Sequence, residues 1–372
     1  MYKKVLITGG AGFIGSHLVD ELLTNGYSIR VLDNLSEQIH GPGKQPPRYL
    51  NEEAELIIGD VRNPNDVAKA LRNVDMVVHL AASVGVGQSM YMVRDYMDVN
   101  TVGTSVLLQQ LIEKPVEKLV VASSMSIYGE GYYKDAIGNI LEGSPRSLDQ
   151  LKSGQWELFD RHNNILEPVP TNEDKHPALA SVYALSKYDQ EQLCLMLGRA
   201  YNIPTVALRF FNVYGIRQSL SNPYTGVLAI FASRLLNNKA PLIFEDGNQK
   251  RDFVSVYDVV RACRLALETP QAANNVFNIG SGNAFTVQEI AYQLADVMGR
   301  AHIAPEITKK YRAGDIRHCF SDITRAKDTL GYAPNVDIKD GLYEYTEWLN
   351  SQIALDMVDK ANEELVARGL AI

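Results

Sequence analysis

Tyr183 and Lys187, in the run SVYALSK (181–187), stand four residues apart, and their types and spacing suit proton transfer. On a helix, residues three or four apart share a face, so a phenol and an ammonium at this spacing can meet. A positive charge beside a phenol favours the phenolate and lowers a pKa that starts near 10. Such a tyrosine could take up and return protons near neutral pH. Most Tyr/Lys pairs at this spacing only solvate a helix face, so other parts of the chain have to decide.

A second chemical signal lies near the N-terminus. TGGAGFIGSHL (8–18) carries Gly9, Gly12 and Gly15 at intervals of three, and Gly10, Gly12 and Gly15 also satisfy G-x-G-x-x-G. A Cβ at such positions would block a pyrophosphate from approaching the backbone at a helix N-terminus. A lone glycine pattern equally describes a tight turn, but here an apolar β-branched run precedes it and a helical pattern follows. Asp33 lies at the end of the next such run, placed to bond a ribose diol and to repel a 2′-phosphate, which favours NAD over NADP. Asp60 and Val61 follow the third run and are placed to face the adenine.

The elements that must position these residues are legible as alternating patterns. KVLIT (4–8), SIRVLD (28–33), ELII (55–58), MVVHL (76–80), KLVVA (118–122) and TVALR (205–209) predict buried parallel strands. Segments 13–24, 65–72, 95–113 and 182–201 carry helical periodicity between them. The alternation predicts an α/β fold, a Rossmann-type doubly wound parallel sheet. After about residue 212 the pattern loosens into helices near 227–237, 257–268, 287–299 and 339–350, with short strands near 253–256 and 276–279. The expected organisation is a dinucleotide-binding domain over 1–211, rejoined by about 252–270, and a smaller mixed α/β C-terminal substrate domain over 212–251 and 271–350. A helical tail is expected over 351–372. Residues 130–170 are turn-rich and mixed in charge but carry Tyr132, Tyr133, Trp156 and Phe159, which argues for an ordered insertion over the cleft or at a subunit contact.

Composition excludes several classes. The 372 residues are 46% hydrophobic and 22% charged, with a net charge of −8, which argues against a protein that coats nucleic acid or an anionic membrane. Cys194, Cys263 and Cys319 lie far apart with no metal-ligand or disulfide spacing, as expected in a reducing compartment. The apolar start is interrupted by glycines and His17, and no stretch approaches the length of a membrane span, so a cytoplasmic protein is expected.

With these motifs in place, the chain resembles the extended short-chain dehydrogenase/reductase family, specifically its NAD-dependent nucleotide-sugar epimerases and dehydratases. The resemblance spans residues 1 to about 345. It rests on TGGAGFIGSHL, HLAA (79–82), NTVGT (100–104), SSMSIYG (123–129), Tyr183-x-x-x-Lys187, RFFNVYG (209–215), RDFV (251–254) and RAGD (312–315). It implies that Tyr183 is the acid/base, that Lys187 binds the nicotinamide ribose and depresses the tyrosine pKa, and that Ser124 hydrogen-bonds the reacting hydroxyl. Cofactor contacts are implied at Gly9, Gly12, Phe13, Ile14, Gly15, Asp33, Asn34, Asp60, Val61, Leu80, Ala81, Ala82 and Asn100. Substrate contacts are implied at Val84 and Val86 of the loop VGVGQS (84–89), at Ser124 and Asn212, at Arg217, Arg251 and Arg312 toward the diphosphate, and at Asp315 toward the nucleotide ribose.

The resemblance also bears on the reaction. Dehydratases of this family read Thr-Asp-Glu where Ser124, Met125 and Ser126 stand, and the related decarboxylases place a glutamate at the last position. What remains is the machinery of a 4-epimerase: oxidation at C4 to a bound 4-keto sugar, rotation, and hydride return to the other face. The insertion followed by EPVPTNED (167–174), together with SNPYTGVLAIFASRLL (221–236), resembles the dTDP-L-rhamnose 4-epimerase-like subgroup. A UDP-hexose or UDP-uronate 4-epimerase, a 4-keto-sugar reductase and a non-catalytic dinucleotide-binding protein stand as alternatives. A homodimer is implied as well, with helices 95–113 and 182–201 paired across a two-fold axis.

Overall fold

The apolar runs become the strands of one parallel sheet in the computed structural model, which describes residues 3–312, 314–352 and 354–370. Its strands are β1 (Lys4–Thr8), β2 (Ser28–Asp33), β3 (Glu55–Ile58), β4 (Met76–His79), β5 (Lys118–Ser124), β6 (Thr205–Phe210) and β7 (Asn275–Ile279). Their spatial order is β7-β6-β5-β4-β1-β2-β3, and every neighbouring pair is parallel. The order reverses at β1, which opens a crevice beyond the C-terminal ends of β1 and β4.

Alternation along the strands builds two cores. Val5 and Ile7 of β1 share one with Leu18 and Leu22 of α1 (Phe13–Thr24) and with Val259 and Cys263 further along the chain. Leu6, between them, belongs to the other, with Val67 of α2 (Pro64–Ala70), Leu107 and Leu111 of α3 (Gly103–Glu113) and Cys194 of α4 (Val182–Ala200). Because successive side chains of a strand point to opposite faces, a strand covered on both sides must be apolar throughout. Each such Leu or Ile, fully buried, contributes about 1.5–3 kcal/mol relative to exposure.

The expected helix 95–113 is composite. A short helical turn (Val93–Tyr96) widens into a π-turn (Met97–Val102) before α3 begins. Asn100 is fully buried in the widened turn. Three helices of the second half, α5 (Val227–Leu236), α7 (Val287–Val297) and α8 (Ile338–Leu349), form a separate core from Phe231, Leu235, Ile290, Leu294, Leu342 and Leu349. α6 (Val256–Glu268) returns to the large sheet and packs beside α1. So does β7: the segment at 275–279, grouped with the smaller domain in the sequence reading, pairs with β6 as the edge of the main sheet. Of the tail expected at 351–372, α9 (Val358–Ala367) is helical, and residues 353, 371 and 372 lie outside the described residues.

The 130–170 insertion is ordered. Strands Tyr132–Lys134, Ile140–Glu142 and Glu167–Val169 form a small antiparallel sheet. Tyr133, Leu158 and Leu166 make its core. Arg317, fully buried, fastens it: the guanidinium meets Glu157 at 2.5 Å and, from a different segment, Asp246 at 2.6 Å and Glu245 at 3.0 Å.

Candidate active site

β1 runs straight into the glycine turn. Gly9 adopts φ +72°, and a Cβ on it would lie 2.8 Å from the backbone nitrogen of Ala81 at the end of the neighbouring strand. A Cβ on Gly15 would lie 2.2 Å from the Gly9 carbonyl oxygen, so only glycine lets α1 start this close to the strand. α1 itself begins at Gly12 without a side-chain cap, leaving its first N–H groups for a ligand. At the end of β2, Asp33 braces the turn, Oδ2 accepting from Ala11 N at 3.0 Å and Oδ1 from Leu35 N at 2.9 Å. A cleft of about 1430 Å³ opens over these groups. Gly9, Gly12, Phe13, Ile14, Gly15, Asp33, Asn34, Val61, Leu80, Ala81 and Ala82 all line it, and a glycine cradle, an uncapped helix and an acid together fit a dinucleotide.

The same cleft extends to the second chemical pair. Ser181 caps α4, its Oγ accepting from Ala184 N at 3.1 Å, so Tyr183 and Lys187 project from the first turns of the helix. Both line the cleft, as does Ser124 at the end of β5. Ser124 Oγ also accepts from Ser126 Oγ at 2.9 Å and from Ser126 N at 3.2 Å, so it caps the turn that follows as well as facing the cleft. The Tyr183 backbone donates to Ser89 Oγ at 3.0 Å, which ties the loop 84–89 to the start of α4. α4 is held to β6 by a buried bidentate pair, Arg209 to Glu191 at 2.7 and 2.9 Å.

The electrostatics differ from expectation in one respect. Burial pushes the Tyr183 phenol above its ordinary value, with the Ser124 hydroxyl pulling the other way. Lys187 Nζ donates to Gln190 Oε1 at 2.6 Å, and burial brings its own pKa down to about 8. In the chain alone, desolvation therefore outweighs the Ser124 hydrogen bond, and the phenol stands above its ordinary value rather than below it.

Several expected contacts stand away from the cleft wall. Asp60 is committed to Arg62, at 2.7 and 2.9 Å, and to Asn34 at 3.2 Å, while its neighbours Val61 and Arg62 face the cleft. Asn100 works from behind, gripping both the N–H and the carbonyl of Ser83, at 2.7 and 3.0 Å. Val84, Asn212 and Arg217 line the cleft, whereas Val86 does not. The Arg251 guanidinium donates to the carbonyls of Lys250, Arg317 and Ile316, and Arg312 pairs with Asp315 at 2.9 Å and covers the Phe244 ring, so these three lie outside the wall. No residue of 130–170 lines it, and the insertion instead bounds a smaller cavity with Lys250 and His318. Lining residues that no motif announced include Tyr49, whose hydroxyl donates to Ala11 O at 3.2 Å, and His40, while Tyr224 falls in SNPYTGVLAIFASRLL without having been singled out. Only the aromatic residue in the turn-rich stretch GPGKQPPRY (41–49) hinted at the first.

Comparisons with known proteins agree with this geometry. The profile of the NAD dependent epimerase/dehydratase family matches residues 5–147 and 157–280. A dTDP-L-rhamnose 4-epimerase of Burkholderia thailandensis is 34% identical over 356 residues, covering 94% of this chain and 96% of the relative. A putative UDP-glucose 4-epimerase of Methanocaldococcus jannaschii is 33% identical over 348 residues, covering 93% and 98%. Among solved structures, the UDP-glucuronic acid 4-epimerase of Bacillus cereus, in complex with UDP-glucuronic acid and NAD, superposes with a TM-score of 0.76 at 29% identity, covering 93% of this chain and 99% of that one.

Proposed function

The chain belongs to the NAD dependent epimerase/dehydratase family, and on that premise we propose that it is a nucleotide-sugar 4-epimerase whose preferred substrate is dTDP-L-rhamnose or a close analogue. One observation carries the reaction class. Among the described residues, the carboxylates lining the cleft are Asp33 and Glu37, both at the dinucleotide end. At the Tyr183 end Ser124 lines the cleft, and the buried Met125 and Ser126 that follow it carry no carboxylate to act as the acid and base of an elimination.

Bound in the glycine cradle, NAD supplies the hydride acceptor and donor. The chain's own groups manage the proton and the sugar. Tyr183 takes the proton from the C4 hydroxyl and returns it to the 4-keto sugar, and Ser124 hydrogen-bonds the reacting oxygen. Lys187 contributes the positive charge that favours the tyrosinate once the dinucleotide is in place. The small side chains of loop 84–89 leave room for the sugar to turn over. Glycine at 85 is demanded by space, since a Cβ there would lie 2.9 Å from the Tyr96 hydroxyl and from Tyr224 Cβ.

A UDP-hexose is the alternative substrate, supported by the relatives that carry that name. A UDP-uronate is a further alternative, supported by the structure of the UDP-glucuronic acid 4-epimerase. Offering the purified chain a panel of dTDP- and UDP-sugars without added NAD tests the assignment. Conversion of dTDP-L-rhamnose to its 4-epimer at the highest kcat/KM supports it, and interconversion of none of the panel overturns it.

The assembly proposed is a homodimer. Val93, Val102, Leu185 and Met196 expose 40–52% of their surface along the 93–113 segment and α4, an apolar face suited to a two-fold contact. Light scattering at micromolar concentration should give twice the chain mass, and a monomer would contradict it.

A further inference from the structure

The Lys187 ammonium has a buried partner outside every motif quoted above. Gln190 lies three residues on along α4, and its Oε1 accepts from Lys187 Nζ at 2.6 Å. The other end of its amide is held on three sides. Nε2 donates to Thr104 Oγ1 at 2.8 Å and to Ala81 O at 3.4 Å, and lies 3.2 Å from His79 Nε2. An ammonium only donates and a carbonyl only accepts, so the amide fits one way round. Behind it, Thr104 Oγ1 donates to Asn100 O at 2.5 Å, and Thr8 Oγ1, 2.7 Å from His79 Nδ1, accepts from Ala81 N at 3.3 Å. The end of β4 and the first turn of α3 thus meet α4 on one side chain, with Thr8 of β1 and Asn100 of the π-turn one bond behind, and Ala81 is also part of the dinucleotide wall.

We infer that Gln190 is a positioning residue, fixing the Lys187 ammonium relative to Ala81 and thereby setting how tightly NAD is held and how much positive charge Tyr183 feels. This rests on the roles given above to Lys187 and Tyr183. The other groups facing Lys187 leave the task to the amide. His79 stays neutral, brought down to about 3 by burial and by the Lys187 charge. Cys194 stays a thiol, pushed up to about 12 by burial. Glu191 is committed to Arg209 and, at 2.6 Å, to Ser123. Burial already weakens the lysine's hold on its proton, and losing an acceptor at Oε1 weakens it further, because that acceptor favours the charged form.

The experiment compares wild type with Gln190→Leu and Gln190→Glu, each stripped of dinucleotide for the NAD titration and loaded with NAD for the kinetics. In Gln190→Leu, the Kd for NAD, read by fluorescence titration, should rise about tenfold, as expected for losing a hydrogen bond to a charged group. The ascending limb of kcat against pH should move up by about one unit while KM for the nucleotide sugar holds. In Gln190→Glu the ammonium keeps an acceptor but the carboxylate cannot donate to Thr104 or Ala81, so NAD affinity should fall less than in Gln190→Leu while the limb still moves up, because a carboxylate cancels the ammonium's charge. Should the leucine variant fail to fold, the limb in the glutamate variant decides. An unmoved limb, including a kcat that falls equally at every pH, overturns the inference, because disturbed packing alone would do that. If wild type binds NAD yet turns over no nucleotide sugar, the epimerase reading falls, and an unchanged Kd in Gln190→Leu would then overturn the inference by itself.

Discussion

Arg217 crosses from the second half of the chain to the first helix, its Nη1 2.8 Å from Asp20 Oδ2 on α1. The guanidinium carbon lies 5.6 Å over the ring of Tyr49, whose hydroxyl reaches the glycine turn. The resemblance assigned Arg217 to the substrate diphosphate, but its partners put it beside the dinucleotide cradle. Arg217→Ala should therefore weaken NAD binding about three- to tenfold, in line with one part-exposed charged contact, and change KM for the nucleotide sugar less. Titration with NAD and steady-state kinetics separate the two, and a sugar KM that rises more than the NAD Kd would return Arg217 to the substrate.

Tyr183→Phe should fold, bind NAD and lose about 10²- to 10⁴-fold in turnover, the range a positioned proton carrier supplies. The phenolate is the working base, so wild-type turnover should fall as pH drops through the Tyr183 pKa. Near-normal epimerisation by the phenylalanine variant would exclude Tyr183 as the proton carrier.

Isotope labelling distinguishes the reaction classes. An epimerase moves hydrogen away from C4 and back within one closed cycle. Substrate deuterated at C4 should give product deuterated at C4 without added NAD, and no solvent deuterium should enter C5 or C6. Label appearing at C6, read by NMR, would mean elimination, and carboxylates other than those on the cleft wall would have to perform it. Stoichiometric loss of added reduced cofactor would mean a reductase.

Stability should fall steadily into acid. Burial lowers His17 to about 4, and burial with the Lys187 charge lowers His79 to about 3. Below about pH 6.5 the unfolded chain takes protons at these positions that the folded chain refuses, so stability declines as pH drops through that window. Glu157 and Asp246 add a lower window. Burial opposes their ionisation, but His318 and Arg317 outweigh it at Glu157, as Arg317 and the Asn248 backbone do at Asp246, holding each at about 2. Their contribution is complete above the ordinary carboxylate pKa and lost as pH falls toward 2. Thermal midpoints measured from pH 7 to 3 should decrease throughout, with a steeper decline below about 4.5. A flat profile from 7 to 4 would refute the histidine part.

Much of this architecture is written locally. β1, β2 and β5 are readable because strands covered on both faces must be apolar throughout, and the glycine turn because close backbone approach excludes a Cβ. Tyr183 and Lys187 are readable because helical spacing puts them on one face. Gln190 shares that spacing, yet its meaning lies in Thr104, Ala81 and His79, which only folding brings to it. The side of the cleft that Arg217 serves, and the edge position of β7, likewise depend on partners distant in sequence. The insertion was expected, on its aromatics, over the cleft or at a subunit contact; none of it lines the cleft, and Tyr133 packs inward against Leu158 and Leu166.

The buried Arg317 has a consequence for how the chain is made. Its carboxylate partners Glu157, Glu245 and Asp246 all leave the ribosome before it does, and the insertion's own Arg146 already reaches Glu245 at 2.9 Å, so Arg317 completes a seam that the insertion can begin without it. Until then Glu157 and Asp246 lack the cation that later joins them, and carboxylates brought that close without it would repel one another. A nascent chain stopped short of residue 317 would keep its dinucleotide turn and the insertion's own small sheet, but would hold residues 130–170 without their Arg317 anchor. Full attachment of the insertion is thus a late event in synthesis, after the nucleotide-binding half has been made.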